Sequence, residues 1–229
     1  MTERERMPSP LRERVLAELE PVAPLAPPAR RAFAVALPVL AVVGAVCLLV
    51  ARRRAGDELL TFAGSGFSLV EWSAGLGLIW LALREAVPGL GFGAARAALA
   101  IAGAIGLELL LGLALASSGG GAGGPLAAGA RCGAVEGALG LPILAVAAFL
   151  ALRALPLRPR WSGALAGAAA GLFADAIWHL SCAVTDLAHL LVWHLGATVA
   201  LALMGFLAGS LWTLRDEGRA TEESRPASR

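Results

Sequence analysis

Asp175-Ala-Ile-Trp178-His179-Leu-Ser-Cys182-Ala-Val-Thr-Asp186-Leu-Ala-His189-Leu-Leu-Val-Trp193-His194 joins two apolar runs, 162–181 and 189–212. Each run is close to the roughly 20 apolar residues that an α-helix needs to cross a hydrocarbon core of about 30 Å. The polar stretch between them reads as a turn at a membrane surface, with His179 ending one helix and His189 beginning the next. Were the first helix to continue past Ser181, then His179, Cys182, Asp186, His189 and Trp193 would step by three and four residues along one face. Either geometry gathers polar side chains in one place. The stretch holds all 3 histidines of the chain and one of its 3 cysteines, so unusual chemistry is expected here.

Four further runs of similar length precede these two, at about 32–50, 67–83, 97–116 and 138–155. Hydrophobic residues make up 58% of the 229 positions and charged residues 16%, and the mean hydropathy is +0.73. A soluble domain carries about a quarter charged residues. The composition therefore predicts an all-α, polytopic membrane protein, a six-transmembrane-helix bundle with a short cytoplasmic N-terminal arm. Glycines in small-xxx-small spacing, such as Gly163, Gly167 and Gly171, suit close helix packing in lipid. Every basic residue is Arg, which reads as GC-rich bacterial coding. No basic domain with interleaved aromatics suggests direct nucleic-acid binding. The first apolar run begins about thirty residues in and is closed by Arg52-Arg53-Arg54, as expected of a retained anchor rather than a cleaved signal peptide.

An even number of spans puts both termini on one side. With the N-terminus inside, Arg30, Arg31, Arg84, Arg96, Arg153, Arg158, Arg160, Arg215 and Arg219 flank inner ends, against Arg52, Arg53, Arg54 and Arg131 outside. The excess favours cytoplasmic N- and C-termini in a bacterial inner membrane. The glycine-rich third loop, holding Cys132, and the fifth loop, holding Cys182, then both face the periplasm. Cys47 falls within the first span and reads as a small apolar residue.

Three readings of this outer cluster stand open. Cys132 and Cys182 can form a disulfide in an oxidising compartment. They can instead bind a metal together with His179 and His189, since thiolate and imidazole suit zinc and softer cations. Or the polar side chains only cap helix ends. No resident cofactor is required; a transiently captured heavy-metal ion is the ligand this donor set admits. Two acids, Glu108 and Asp175, lie within spans, where charge is costly, and should face the bundle interior. Asp175 is one turn from His179, which admits a carboxylate–imidazole hydrogen bond fixing the ring tautomer, while packing polarity alone also accounts for it. Glu71 falls near the outer end of the second span and needs no special reading.

Residues 1–31 form the arm, 32–212 the membrane domain and 213–229 a disordered cytoplasmic tail. Within the arm, Leu11, Val15, Leu16 and Leu19 share one face of a short helix-compatible segment that Pro21 stops. Ten residues do not make a stable isolated helix in water, so this face suits folding against a partner's groove or lying on the lipid surface.

Taken together, the leucine-containing arm ending in Pro21-Val22-Ala23-Pro24-Leu25 before Arg30-Arg31, the six spans, and Cys132 paired with His179-Leu-Ser-Cys182 and Trp193-His194 resemble the NrsF family. These are bacterial membrane anti-sigma factors, negative regulators of a sigma-F-type extracytoplasmic-function (ECF) sigma factor. The resemblance implies that the chain is no enzyme, that its arm binds an ECF sigma factor, and that Cys132 and Cys182 sense stress. The rivals are a membrane thiol-redox or cofactor-binding protein, which lacks a CxxC pair here, and a small transporter, suggested by Glu108 and Asp175 alone.

Overall fold

A computed structural model describes residues 13, 14, 17, 24–53, 66–117, 129–182 and 184–223. The arm residues Leu11, Val15, Leu16 and Leu19 and the side chain of Cys47 lie outside the described residues. The described chain is helical, with no strand among the described residues. The long helices are α1 (Pro28–Arg53), α2 (Phe67–Glu85), α3 (Ala94–Ser117), α4 (Ala130–Leu152), α5 (Pro159–Trp178) and α6 (Gly196–Glu223). Between α5 and α6 come a 3-10 turn at His179–Ser181, a short α-turn at Leu187–His189 and a π-helical turn at Leu190–Leu195 that runs straight into α6. Six segments are long and apolar enough to cross a membrane, and the chain is a polytopic membrane protein.

The break falls where the sequence put it, because Cys182 is extended (φ −82°, ψ 123°) and Asp186 then caps the next turn through the backbone N–H of His189 at 3.2 Å. The fourth span departs from expectation. It starts at Ala130 rather than near 138, so Cys132 sits in the first turn of α4 and not in a loop. The glycines around it read as loop, but within these extra turns Glu136 is buried against His194. At the other end of the chain, α6 continues to Glu223, past the expected limit of the membrane domain.

α5 is the centre of the bundle and touches all five other helices. Its alanines and glycines are what allow this, since apolar side chains gain little from helix association in lipid and close backbone packing supplies the attraction instead. Against α6 the approach is extreme. A Cβ on Gly167 would lie 2.1 Å from the Leu201 carbonyl oxygen, and one on Gly163 would lie 2.1 Å from that of Gly205. The pairs Gly171–Thr198, Gly167–Leu201, Gly163–Gly205 and Pro159–Gly209 run in opposite sequence directions, so the two helices are antiparallel and in backbone contact along most of their length.

Cross-helix hydrogen bonds fix the remaining helices. Trp72 Nε1 donates to the Ala36 carbonyl, Ser162 Oγ to the Ala82 carbonyl, both at 3.0 Å, and Arg31 to the Leu150 carbonyl. At the end where α1 begins, the buried Glu85 carboxylate accepts from the Phe92 N–H (2.7 Å), the Gly93 N–H (3.3 Å) and Arg158 (3.3 Å). The turn it clamps passes through Gly89 and Gly93 at φ of 83° and 94°, a left-handed backbone that suits glycine.

Candidate functional site

The opposite end of the bundle gathers the thiols. Cys132 comes from the start of α4 and Cys182 from the turn after α5. Their sulfurs are 3.9 Å apart and both are free thiols. His189 Nε2 lies 3.4 Å from the Cys182 sulfur. The start of α4 is seated on the His189–His194 segment so closely that a Cβ on Gly129 would meet the Trp193 ring at 2.0 Å and His189 Nδ1 at 2.8 Å.

His194 completes the group. Successive α-helical residues turn by about 100°, so positions five apart point to different sides, whereas a π turn brings i and i+5 over one another. The π turn at Leu190–Leu195 therefore stacks His194 near His189, with ring centroids 5.4 Å apart. One donor atom from each of Cys132, Cys182, His189 and His194 lies within 4.8 Å of the other three, a cluster able to hold a metal ion. Expectation had named His179 in place of His194. His179 instead ends α5 with its ring 6.0 Å from that of Phe67, and His194, which spacing rules did not select, takes the fourth corner.

One layer deeper are the acids. His194 Nδ1 is 2.7 Å from Asp175 Oδ1 and 2.6 Å from Glu136 Oε1, all three side chains being buried. Asp175, one turn from His179 in sequence, hydrogen-bonds His194. Thr198 Oγ1, one turn further along α6, donates to Glu108 Oε1 at 2.6 Å. Glu71, which the sequence placed near a span end without a special reading, is buried and faces Asp175. A cavity of about 20 Å³, room for one water-sized occupant, lies between Glu71, Glu108, Asp175, His179 and His194. Buried acids at membrane depth are tolerated when they meet each other, an imidazole or a hydroxyl, and all of these are supplied here.

Cys182 sits on the turn outside the helices. Burial pushes its thiol up, but the nearby His194 imidazole, the Val184 backbone and the Cys132 thiol more than offset this, leaving it below an ordinary cysteine. A lowered thiol is a better nucleophile and a readier metal ligand at neutral pH.

Glu136 was missed in the sequence because it looked like loop, although it stands one helical turn from Cys132. No curated protein and no solved structure matches the chain. Residues 16–215 match the family described as NrsF, negative regulator of sigma F, and the protein belongs to that family, a regulator of a sigma factor rather than an enzyme.

Proposed function

We propose that this protein is an anti-sigma factor that holds an ECF-type sigma factor at the bacterial inner membrane through its N-terminal arm. The sigma factor is released when the thiol site meets an oxidant or a heavy metal. In this reading residues 1–31 are the partner-binding arm, with Leu11, Val15, Leu16 and Leu19 as its apolar face. Residues 32–212 are the sensing bundle and 213–229 a cytoplasmic tail. Both termini are cytoplasmic and the thiols periplasmic, as the arginine distribution favours. The protein itself contacts lipid and the sigma factor, not nucleic acid.

The observation that carries this reading is the 3.9 Å approach of Cys132 and Cys182, fifty residues apart in sequence. Two thiols in contact, with an imidazole at 3.4 Å from one of them, respond as a unit to an oxidant or a thiophilic ion. The signal must favour one of two bundle states, because a ligand moves an equilibrium only by its differential affinity for them. Reversing a 99:1 preference takes about 5.5 kcal/mol, and a disulfide is typically worth about 2–4 kcal/mol. The thiols can thus supply much of the required bias.

Affinity capture with the full-length protein in detergent, from lysate of the native cell, tests the partner. Wild-type protein should retain a sigma factor identifiable by mass spectrometry, and the Leu16→Glu, Leu19→Glu variant should lose it. Retention by both would remove the arm from the mechanism. Normal stress induction in a Cys132→Ser, Cys182→Ser strain would remove the sensor.

A further inference from the structure

His194 is shared by the thiol cluster and the carboxylate layer, and its two ring nitrogens face different chemistry. Nδ1 has Asp175 Oδ1 at 2.7 Å and Glu136 Oε1 at 2.6 Å. In the neutral form that binds a metal, the one ring hydrogen of His194 lies on Nδ1, where Asp175 accepts it, and Nε2 offers its lone pair. Nε2 is buried and makes no hydrogen bond. A histidine that donates one ring N–H to a carboxylate and keeps the other nitrogen bare is arranged as metal-ligating histidines are.

Two separations within the cluster, one between the sulfurs and one between sulfur and nitrogen, agree with a particular coordination. With metal–sulfur bonds of about 2.3 Å and metal–nitrogen bonds of about 2.0–2.1 Å, a tetrahedral site separates two sulfurs by about 3.8 Å and a sulfur from a nitrogen by about 3.6 Å. The Cys132–Cys182 separation is 3.9 Å and the Cys182–His189 separation 3.4 Å. An octahedral site has ligands closer together, and a disulfide would place the sulfurs about 2.05 Å apart.

We propose that Cys132, Cys182, His189 and His194 form a closed, four-coordinate site for a resident zinc(II)-class cation. His194 contributes Nε2 as the fourth ligand, and Asp175 and Glu136 act as positioning residues. Two thiolates neutralise the dication, and the two thiol protons leave as it binds. The closed ligand set is that of a structural rather than a catalytic metal, and it joins the start of α4, the turn after α5 and the approach to α6. A softer ion of the same preferred geometry would act by displacing the resident one. Only this displacement rests on the proposed sensory role of the thiols; metal binding stands on the geometry alone.

Cobalt(II) titration of chelator-stripped, full-length protein in detergent is the test. Wild type should take one equivalent, showing thiolate-to-cobalt charge transfer and intense tetrahedral d–d bands, both abolished by zinc(II). His194→Ala should keep the charge transfer and lose tetrahedral intensity. Asp175→Asn and Glu136→Gln should keep the wild-type spectrum with affinity reduced about 10–100-fold. Should His194→Ala not fold, His194→Cys replaces nitrogen by sulfur and should increase the charge-transfer intensity. A weak octahedral spectrum in wild type, or a spectrum indifferent to every change at His194, overturns the site. Sigma-factor release is scored separately. Normal release in the double serine strain removes the sensor reading, whatever the cobalt spectra show.

Discussion

The sulfurs of Cys132 and Cys182 stand 3.9 Å apart, within van der Waals contact yet unbonded. Closing them to a bond needs a movement of about 2 Å, small for a first helical turn and an extended turn residue. A mild thiol oxidant should therefore produce an intramolecular cross-link in the full-length protein. Non-reducing electrophoresis, with peptide mapping to exclude Cys47, should show it in wild type and in neither single serine variant. Cross-linked dimers in place of the internal bond would contradict the packing of α4 on the α5–α6 turn.

Cys182 should alkylate with a pH midpoint below that of an ordinary cysteine thiol, because its surroundings favour the thiolate despite burial. A lowered midpoint means the reactive thiolate persists to lower pH. His194→Ala removes the principal group opposing burial, so the midpoint should rise. Mass-spectrometric quantification of the Cys182 peptide across pH checks both, and an unchanged midpoint in His194→Ala would show that His194 exerts no influence on the thiol.

Glu85 and Arg158 form an ion pair at 3.3 Å, but the two ends are unequal, with side-chain exposures of 1% and 53%. Glu85→Ala strips the acceptor from the Phe92 and Gly93 N–H groups as well, and should cost about 1–3 kcal/mol. Arg158→Ala removes a half-exposed partner and should cost about 0–1 kcal/mol. Denaturant unfolding in mixed micelles measures the difference; equal losses would mean that the backbone bonds to Glu85 contribute nothing.

Gly167→Val should be severe, because a Cβ there meets the Leu201 carbonyl oxygen at 2.1 Å, and backbone does not move aside as a side-chain tip does. A loss at or above the upper end of the usual overpacking range, about 1–3 kcal/mol, is expected. Gly103→Ala on α3 meets nothing within 4 Å and should be close to neutral. The same unfolding assay ranks the two; equal tolerance would refute the α5–α6 backbone contact.

The six spans were legible because length and apolarity decide them before any packing is known. The thiol pair was legible because one topology places Cys132 and Cys182 on the same face of the membrane. His194 was not, since helical reasoning compares positions three and four apart, and the π turn pairs it with His189 at five. Glu136 was hidden by glycines that suggested a loop, and Glu71 by its place near a span end. Hydropathy marks such acids as unusual but does not say which side of a helix faces the centre. That depends on α5, whose alanines and glycines are nearly featureless as sequence and become the middle of the bundle when five helices close around it.

The glycine contact between α5 and α6 also bears on how a disturbance travels. Between most helices an interlayer of side chains can change rotamer and absorb a displacement. At the levels Gly171–Thr198, Gly167–Leu201, Gly163–Gly205 and Pro159–Gly209 that interlayer is absent, and the Trp161–Phe206 ring pair flanks the contact. Backbones this close leave little room for one helix to slide on the other, and Thr198 at one end of the contact is one turn from His194. In the proposed sensing role, a shift of α6 imposed at the thiols would carry α5 with it toward the Pro159–Gly209 end.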